Sequence, residues 1–492
     1  MLRLFLCRPT TWRTGFRVAR PQPLHTTAIR YNSIAVTETP RGAEQETREI
    51  IALDRLLRIV RARSNPDVRT IMPIRTPGLY AEHLSHVIDG AGVSHSQSQI
   101  SQASADTAPP SARAMHDSYS EVMLPLRSNA TLFEQFINAN GGIRTGKLME
   151  QLDALAGSIA YKHILGSDVH SLGSIEDRGL YVVTAAVDRI DMLKPVSTSQ
   201  SVADLRLSGN VIYTGRSSME IAVKMEALYS DDSEPLTLMI GRFSMVCRDA
   251  ATHSSRAVGA LELSTDDERQ LFAYGEGHQK RKKAQSLTSL DRVPPSSEEA
   301  SVLHSFFLAN GKAVRKLEPT DATERVTMKS TRLQNCFMMF PQERNVHGKV
   351  FGGHLMRLAY ELGFTNSSLF ARGPVRFLSL DEISFKRPVN IGSIVRLSSV
   401  IAHTTRNERF PLVIHVKVQA DVIDVSNGSE QTTNDFRFTW AVDHEATGSQ
   451  EITEPQRIVV PRTYEEAMLW LEARRDLAVG DEIRGLRQTA AQ

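Results

Sequence analysis

The sequence predicts an α+β fold built twice, with an antiparallel sheet wrapped around one long central helix in each copy. Three observations carry this. The order strand, loop, helix, then four strands occurs twice along the chain. The segment Asp188-Arg189-Ile190-Asp191-Met192-Leu193-Lys194-Pro195-Val196 matches Asp381-Glu382-Ile383-Ser384-Phe385-Lys386-Arg387-Pro388-Val389 at Asp, Ile, Pro and Val. Gly146-Lys147-Leu148-Met149 matches Gly353-His354-Leu355-Met356, each where a helix begins. Two such units can pair their sheets into one continuous sheet with both helices on the same side.

Taken in order, residues 1–37 contain no Asp or Glu and carry Arg3, Arg8, Arg13, Arg17, Arg20 and Arg30 among Leu, Phe, Trp, Ser and Thr. That is the composition of a mitochondrial transit peptide, here expected over residues 1–31. The apolar run Leu4–Cys7 is too short for a secretory signal. An extension over 32–116 holds an amphipathic helix, Thr47–Arg63, stopped by Asn65-Pro66. Its Ser-, Gln- and Pro-rich stretch 94–113 reads as a flexible loop. The first repeat, 117–250, has a strand at Ser118–Leu126, the loop Gly141–Gly146 and a helix Lys147–Leu165 whose apolar face is Leu148, Leu152, Leu155, Ala156 and Ile159. Strands rich in Val, Ile, Tyr and Leu follow at Leu180–Val187, Asp204–Tyr213, Ser218–Leu228 and Leu236–Cys247, the loop Ser167–Gly179 absorbing the greater length of this copy.

A connector, 251–322, carries Asp266–Glu268 and Lys280–Lys283, charge runs read as solvated helix faces. The second repeat, 323–445, places a strand at Arg325–Met339, the loop Asn345–Gly353, a helix to Phe370, and strands at Phe377–Phe385, Ile394–His403, Leu412–Ile423 and Gln431–Val442. The tail, 446–492, becomes helical at a capping box made by Thr463 and Glu466.

Composition excludes several functions. Over 492 residues the net charge is +2, which points away from nucleic acid as a main partner, and no apolar run is long enough to span a membrane. The three cysteines, Cys7, Cys247 and Cys336, form no CxxC, so neither a zinc knuckle nor a disulfide framework is expected. Cys247 and Cys336 lie in strand-like runs and are expected to be buried thiols. No GxSxG elbow is present, which argues against an α/β-hydrolase.

The chemistry gathers at Asn345–Gly363. Its first half is polar and Gly-rich; from Leu355 the apolar residues Leu355, Leu358, Ala359 and Leu362 fall at helical spacing. Gly352-Gly353 therefore opens a mostly apolar helix, where unpaired N–H groups and the positive end of the helix dipole can hold an oxyanion. Asn345, eight residues before Gly353, can add a side-chain N–H to the same spot.

Asn345-Val346-His347-Gly348 with Phe351-Gly352-Gly353-His354-Leu355-Met356 resembles the signature of hotdog-fold acyl-CoA thioesterases. Gly141–Gly157 resembles the first hotdog domain of the duplicated mitochondrial branch of that family, and Gly215-Arg216-Ser217-Ser218-Met219-Glu220 is similar to a further stretch of it. The resemblance covers about residues 117–445. It implies a tandem double hotdog and hydrolysis of acyl-CoA to fatty acid and coenzyme A. It also implies an acid on one helix meeting an Asn on the loop before the partner helix. By position the complete pair is Asp153 with Asn345. The opposite pair has Asn138, but Tyr360 stands in its acid position and Glu361 is one residue out of phase, about 100° round the helix. One working site per chain is expected.

In that site Asp153 can activate water or attack directly, while Asn345, Gly352 and Gly353 stabilise the developing negative charge. Asp inside the apolar run Leu152–Leu155 is costly to bury without a purpose. Arg216 and Ser217 are candidate contacts for the coenzyme A phosphates, which belong to the substrate; no separate cofactor and no metal is expected. The expected partners are acyl-CoA and further copies of the chain, in the mitochondrial matrix. Competing readings are a hotdog hydratase or dehydratase using His347 or His354, and a non-catalytic acyl-CoA-binding protein.

Overall fold

The structure, a computed structural model, describes residues 41–69, 111–138, 142–166, 179–194, 202–229, 234–310, 323–345, 347–407, 409–443 and 456–491. The expected transit peptide, most of the 94–113 loop, Gly141, residues 167–178 and Pro195-Val196 lie outside the described residues. The chain divides into two units, residues 1–40 and 41–492, and every described element belongs to the second.

The helices are α1 (Arg41–Arg63), α2 (Ala130–Phe136), α3 (Thr145–Leu165), α4 (Asp266–Leu287), α5 (Ser297–Asn310), α6 (Gly352–Ala371) and α7 (Tyr464–Ala491). The strands are β1 (Arg113–Ala114), β2 (Ser120–Leu124), β3 (Leu180–Met192), β4 (Asp204–Thr214), β5 (Ser218–Leu228), β6 (Leu236–Asp249), β7 (Leu261–Glu262), β8 (Thr323–Thr327), β9 (Leu333–Met338), β10 (Arg376–Phe385), β11 (Ile394–Thr405), β12 (Leu412–Ile423), β13 (Glu430–Val442) and β14 (Gln456–Val460).

Ten strands form one antiparallel sheet in the order β2-β4-β5-β6-β3-β10-β13-β12-β11-β9. Read outward from the β3–β10 junction, the halves repeat: β3, β6, β5, β4, β2 on one side and β10, β13, β12, β11, β9 on the other. Helices α3 and α6 pack against each other and against the same face, each over its own half. Strand alternation assigns the two faces. Val211, Ile221 and Val223 join the α3–α6 core, whereas Ile212 and Ala222 join Leu53, Leu56, Leu57 and Leu271 of α1 and α4. In the second half Leu378, Val413 and Ala441 meet Leu477 of α7. The sheet is thus covered on both sides, which suits its nearly continuous apolar strands.

The duplicated Asp-x-Ile motif marks a duplicated irregularity. The β3–β6 register shifts between Val187 and Ile190, and the β10–β13 register shifts between Leu380 and Glu382. A bulge changes the alternation. Ile190 and Ile383 can then enter the helix-side core while Asp188 and Asp381 meet polar partners. Lys282 of α4 pairs with Asp188, and Arg189 pairs with Asp381 at 2.8 Å, tying β3 to β10.

The molecule departs from four expectations. The strand at Ser118–Leu126 is β2 alone, preceded by a 3-10 turn at Met115–Ser118. Arg325–Met339 is two strands broken by a 3-10 turn, Met328–Thr331, whose Thr331 hydroxyl bonds Met328 O at 2.8 Å; β8 leaves the large sheet and pairs in parallel with β14 at the start of the tail. The charge runs on α4 are not simply solvated: Glu268 is buried and bonds Arg63 at 2.6 Å, Arg281 pairs with Glu49, and Lys282 with Asp188. Cys247 is buried, but Cys336 is exposed, because β9 is the outermost strand of the sheet.

Candidate active site

Helices α3 and α6 cross where glycine lets them approach. A Cβ on Gly353 would lie 3.0 Å from Glu150 Cα and 2.7 Å from the Phe351 ring. One on Gly352 would lie 3.2 Å from Asp153 Oδ2. Gly353 has no room for a side chain and Gly352 little, and the absence of one admits the first turn of α6 to the carboxylate on α3.

Asp153 is 1% exposed, on the face of α3 that meets α6 and β3. Gly353 N–H donates to its Oδ2 at 2.7 Å, and Thr184 Oγ–H donates to its Oδ1 at 2.9 Å. The carboxylate is therefore fixed in its plane by the opening turn of the partner helix and by a hydroxyl on β3. This corrects one expectation: the Gly353 N–H is engaged by Asp153, since α6 aims its first amides at the nearest anion. Of the Gly-Gly pair, Gly352, the first residue of α6, supplies the other N–H.

Asn345 closes its own loop. Its Oδ1 accepts from His347 N at 2.9 Å and Lys349 N at 3.1 Å, and its N–H donates to Lys349 O at 2.7 Å. Gly348 takes φ +68°, a left-handed angle that suits glycine. With the carboxamide oxygen turned into the loop, the NH₂ is the remaining polar group of this side chain. In the first repeat Asn138 Oδ1 likewise accepts from the N–H four residues on, Gly142 N, at 2.9 Å.

The opposite pair is built from aromatics. A Cβ on Gly146 would lie 3.0 Å from Tyr360 Cδ1, so Tyr360 packs on Gly146 where, in the other pair, Asp153 accepts from Gly353 N–H. Counting from the repeated Asp, Phe377 stands where Thr184 does, and its ring centroid is 5.3 Å from that of Tyr360. Trp440 and Phe438 close the group at 5.8 and 6.0 Å from Tyr360, and burial pushes the Tyr360 hydroxyl up to about 12. Glu361 points away, accepting from Arg144 Nη2 at 2.6 Å. One residue of helical phase thus separates Tyr360, inside the interface, from Glu361, at its rim.

The flanking histidines are engaged elsewhere. His354 Nδ1 lies 2.9 Å from Glu343 and 3.0 Å from Arg357, whose Nε bonds Glu150 at 2.9 Å. These carboxylates and the imidazole are close enough to hold an ion, but the Arg357 guanidinium already bridges them. His347 Nε2 meets Tyr161 and Val182, and burial pushes its pKa down to about 4.

Arg216 is exposed at the tip of the β4–β5 hairpin, its carbonyl accepting from Val258 N at 3.0 Å, with Ser217 O accepting from Cys247 N at 2.9 Å. The register Thr184–Met245–Met219 runs across β3, β6 and β5, which puts this hairpin at the Thr184 end of the sheet. Sequence reasoning missed Thr184. Its only signal is its place four residues before the duplicated Asp188.

No family model matches the chain. It is 34% identical over 365 residues to "Acyl-coenzyme A thioesterase 9, mitochondrial" of Bos taurus, covering 74% of this chain and 78% of that relative. It is 34% identical over 357 residues to "Acyl-coenzyme A thioesterase 4, mitochondrial" of Humulus lupulus, covering 72% and 65%. Among solved structures an acyl-CoA hydrolase from Staphylococcus aureus is similar at 22% identity, covering 34% of this chain and 100% of that one, with a TM-score of 0.29.

Proposed function

Because the chain belongs to the acyl-coenzyme A thioesterase family and hydrolyses acyl-CoA to free acid and coenzyme A, we propose that it does so at one site per chain, made by Asp153, Thr184, Asn345 and Gly352. The observation that carries this is the Asp153 carboxylate held by Gly353 N–H and Thr184 Oγ–H at the crossing of α3 and α6.

Asp153 takes a proton from a water, whose oxygen bonds to the thioester carbonyl carbon. The Asn345 NH₂ and the Gly352 N–H receive the charge that develops on the carbonyl oxygen. The C–S bond then breaks, and the proton leaves with the coenzyme A thiolate as its thiol. Thr184 and Gly353 act on Asp153, not on substrate: they fix the direction of its lone pairs. Arg216 and Ser217, at the Thr184 end of the sheet, receive the coenzyme A phosphates. Tyr360, Phe377, Phe438 and Trp440 fill the equivalent place in the other half, which stays inactive.

The architecture we propose is a tandem double hotdog, over 117–250 and 323–445, flanked by the 32–116 extension, the 251–322 connector and the 446–492 tail. The fused sheet, with α3 and α6 side by side, supports it. The animal relatives are named mitochondrial, and the acid-free, Arg-rich start of the chain agrees. We place the enzyme in the matrix, with residues 1–31 removed, and expect it to assemble with further copies of itself.

The test is release of free thiol from acyl-CoAs of graded chain length, run on the wild type and on Asp153→Asn. Turnover in the wild type and its loss in the variant are expected. Equal turnover in both would move the chemistry elsewhere.

A further inference from the structure

Strand β3 overhangs its neighbour. Its pairing with β10 runs from Asp191, opposite Ser379, to Ala186, opposite Ser384. At Val182 the edge of β3 has β6 on one side, through Cys247, and among the described residues no paired strand on the other. A bare edge leaves amide groups that must find partners. Two side chains supply them. Val182 N–H donates to the Tyr161 hydroxyl at 3.1 Å, and His347 Nε2–H donates to Val182 O at 3.1 Å. The same Nε2 lies 3.1 Å from the Tyr161 oxygen, so the three groups meet at one point.

This point joins both parts of the site. Val182 is two residues from Thr184, which holds Asp153. His347 is two residues from Asn345, whose Oδ1 accepts from the His347 backbone N–H at 2.9 Å. Tyr161 lies on α3, the helix of Asp153. Strand, helix and loop thus meet at two side chains that stand in for a neighbouring strand. The Tyr181 ring packs on the same imidazole, with centroids 4.8 Å apart.

We infer that Tyr161 and His347 are positioning residues: together they cap the free edge of β3 and set the Asn345 loop against the Asp153–Thr184 pair. This role rests on Asp153 and Asn345 being the catalytic pair proposed for this chain. His347 acts here as a neutral donor through Nε2–H. Burial, which pushes its pKa down to about 4, keeps it uncharged at the pH of the cell.

The experiment is steady-state thiol release with His347→Ala, His347→Gln, Tyr161→Phe and the Asp153→Asn control, each with its Tm. Misplacing a catalytic group by about 1 Å costs on the order of 100-fold. His347→Ala should therefore lower kcat ~10- to 100-fold with KM within about 3-fold. The side-chain amide of Gln can donate to Val182 O in place of Nε2–H, so His347→Gln should recover most of that loss and keep the pH profile of kcat/KM. Tyr161→Phe should lower kcat less, since His347 remains. An unchanged kcat in His347→Ala, with Asp153→Asn inactive, would overturn the inference and leave the site standing. So would a His347→Gln as inactive as the Ala variant, or one missing a limb of the pH profile, because the imidazole would then be an acid or base. Full activity in Asp153→Asn would instead refute the site itself.

Discussion

Asp153→Asn exchanges one carboxylate oxygen for an NH₂ of nearly the same size, and the surroundings can accept the exchange. The remaining oxygen can take the Gly353 N–H that now reaches Oδ2 at 2.7 Å. The new NH₂ then points at Thr184 Oγ, 2.9 Å from Asp153 Oδ1, and the hydroxyl need only rotate to accept. Both hydrogen bonds survive as neutral ones. A charge-assisted bond contributes about 1 kcal/mol more than a neutral one, and the smaller desolvation cost of an amide offsets part of that. Stability should therefore change by no more than about 2 kcal/mol. The effect on rate is of another size. Without a base of the right pKa the attacking water keeps its proton, a loss of roughly 100- to 10,000-fold in kcat. The assay is thiol release at saturating acyl-CoA, beside a thermal melt of the same preparation. A kcat within about tenfold of wild type, with the melt unmoved, would refute the assignment of the base. A collapsed melt would refute the claim that the amide fits.

Gly353→Ala drives a methyl into Glu150 and Phe351 at 3.0 and 2.7 Å, so chemical denaturation should show a loss of about 1–3 kcal/mol, with kcat reduced because α6 shifts from Asp153. Glu361→Gln and Asn138→Ala should each leave turnover within a few-fold, measured separately and in combination with Asp153→Asn, because Glu361 serves Arg144 and Tyr360 stands in the acid position opposite Asn138. Glu220 gives a pH signature. Burial first, and the neighbouring Asp188 second, push its pKa up to about 8, with Lys282 and Arg242 facing the pair from α4 and β6. The folded chain thus holds this proton more tightly than the unfolded one, and the contribution of Glu220 to stability falls as pH rises from about 4.5 to 8. Glu220→Gln removes that slope. The excess Tm of the variant over wild type should grow across this window and level off above it; a pH-independent difference would contradict the burial argument. His278, which burial pushes down to about 3 and whose contribution runs the other way below about 6.5, adjoins Glu220, so the comparison is read above that pH.

The parts of the molecule that were legible in the sequence are those fixed by periodicity. The apolar stripe Leu148–Ile159 and its counterpart from Leu355 placed both central helices. The acid position came from the family resemblance, and one residue of helical phase then separated Asp153 and Tyr360, which face the interface, from Glu361, which does not. Thr184 was illegible for a physical reason: Thr is common in strands, and nothing local distinguishes a hydroxyl aimed at a carboxylate 31 residues away from one aimed at water. The engagement of Gly353 N–H was equally hidden, because it depends on how closely two helices approach. The paired charges of α4 needed knowledge of what covers the sheet, and the exposure of Cys336 needed knowledge of which strand is last. Each of these is set by contacts distant in sequence.

The fused sheet has a consequence for how this enzyme can change. In a dimer of identical chains every substitution at the shared interface is felt twice, so a residue that improves the packing of one cleft spoils the chemistry of its mirror image. Joining the halves in one polypeptide lifts that bond. One side of the junction keeps a buried carboxylate and hydroxyl, groups costly to enclose. The other side, which takes no part in the site we propose, is filled by Tyr360, Phe377, Phe438 and Trp440, whose packing stabilises the interface that both share. If the chemistry lies on the carboxylate side, as we propose, reaction and cohesion are separate duties of two corresponding places, and mutations at each should be tolerated for different reasons.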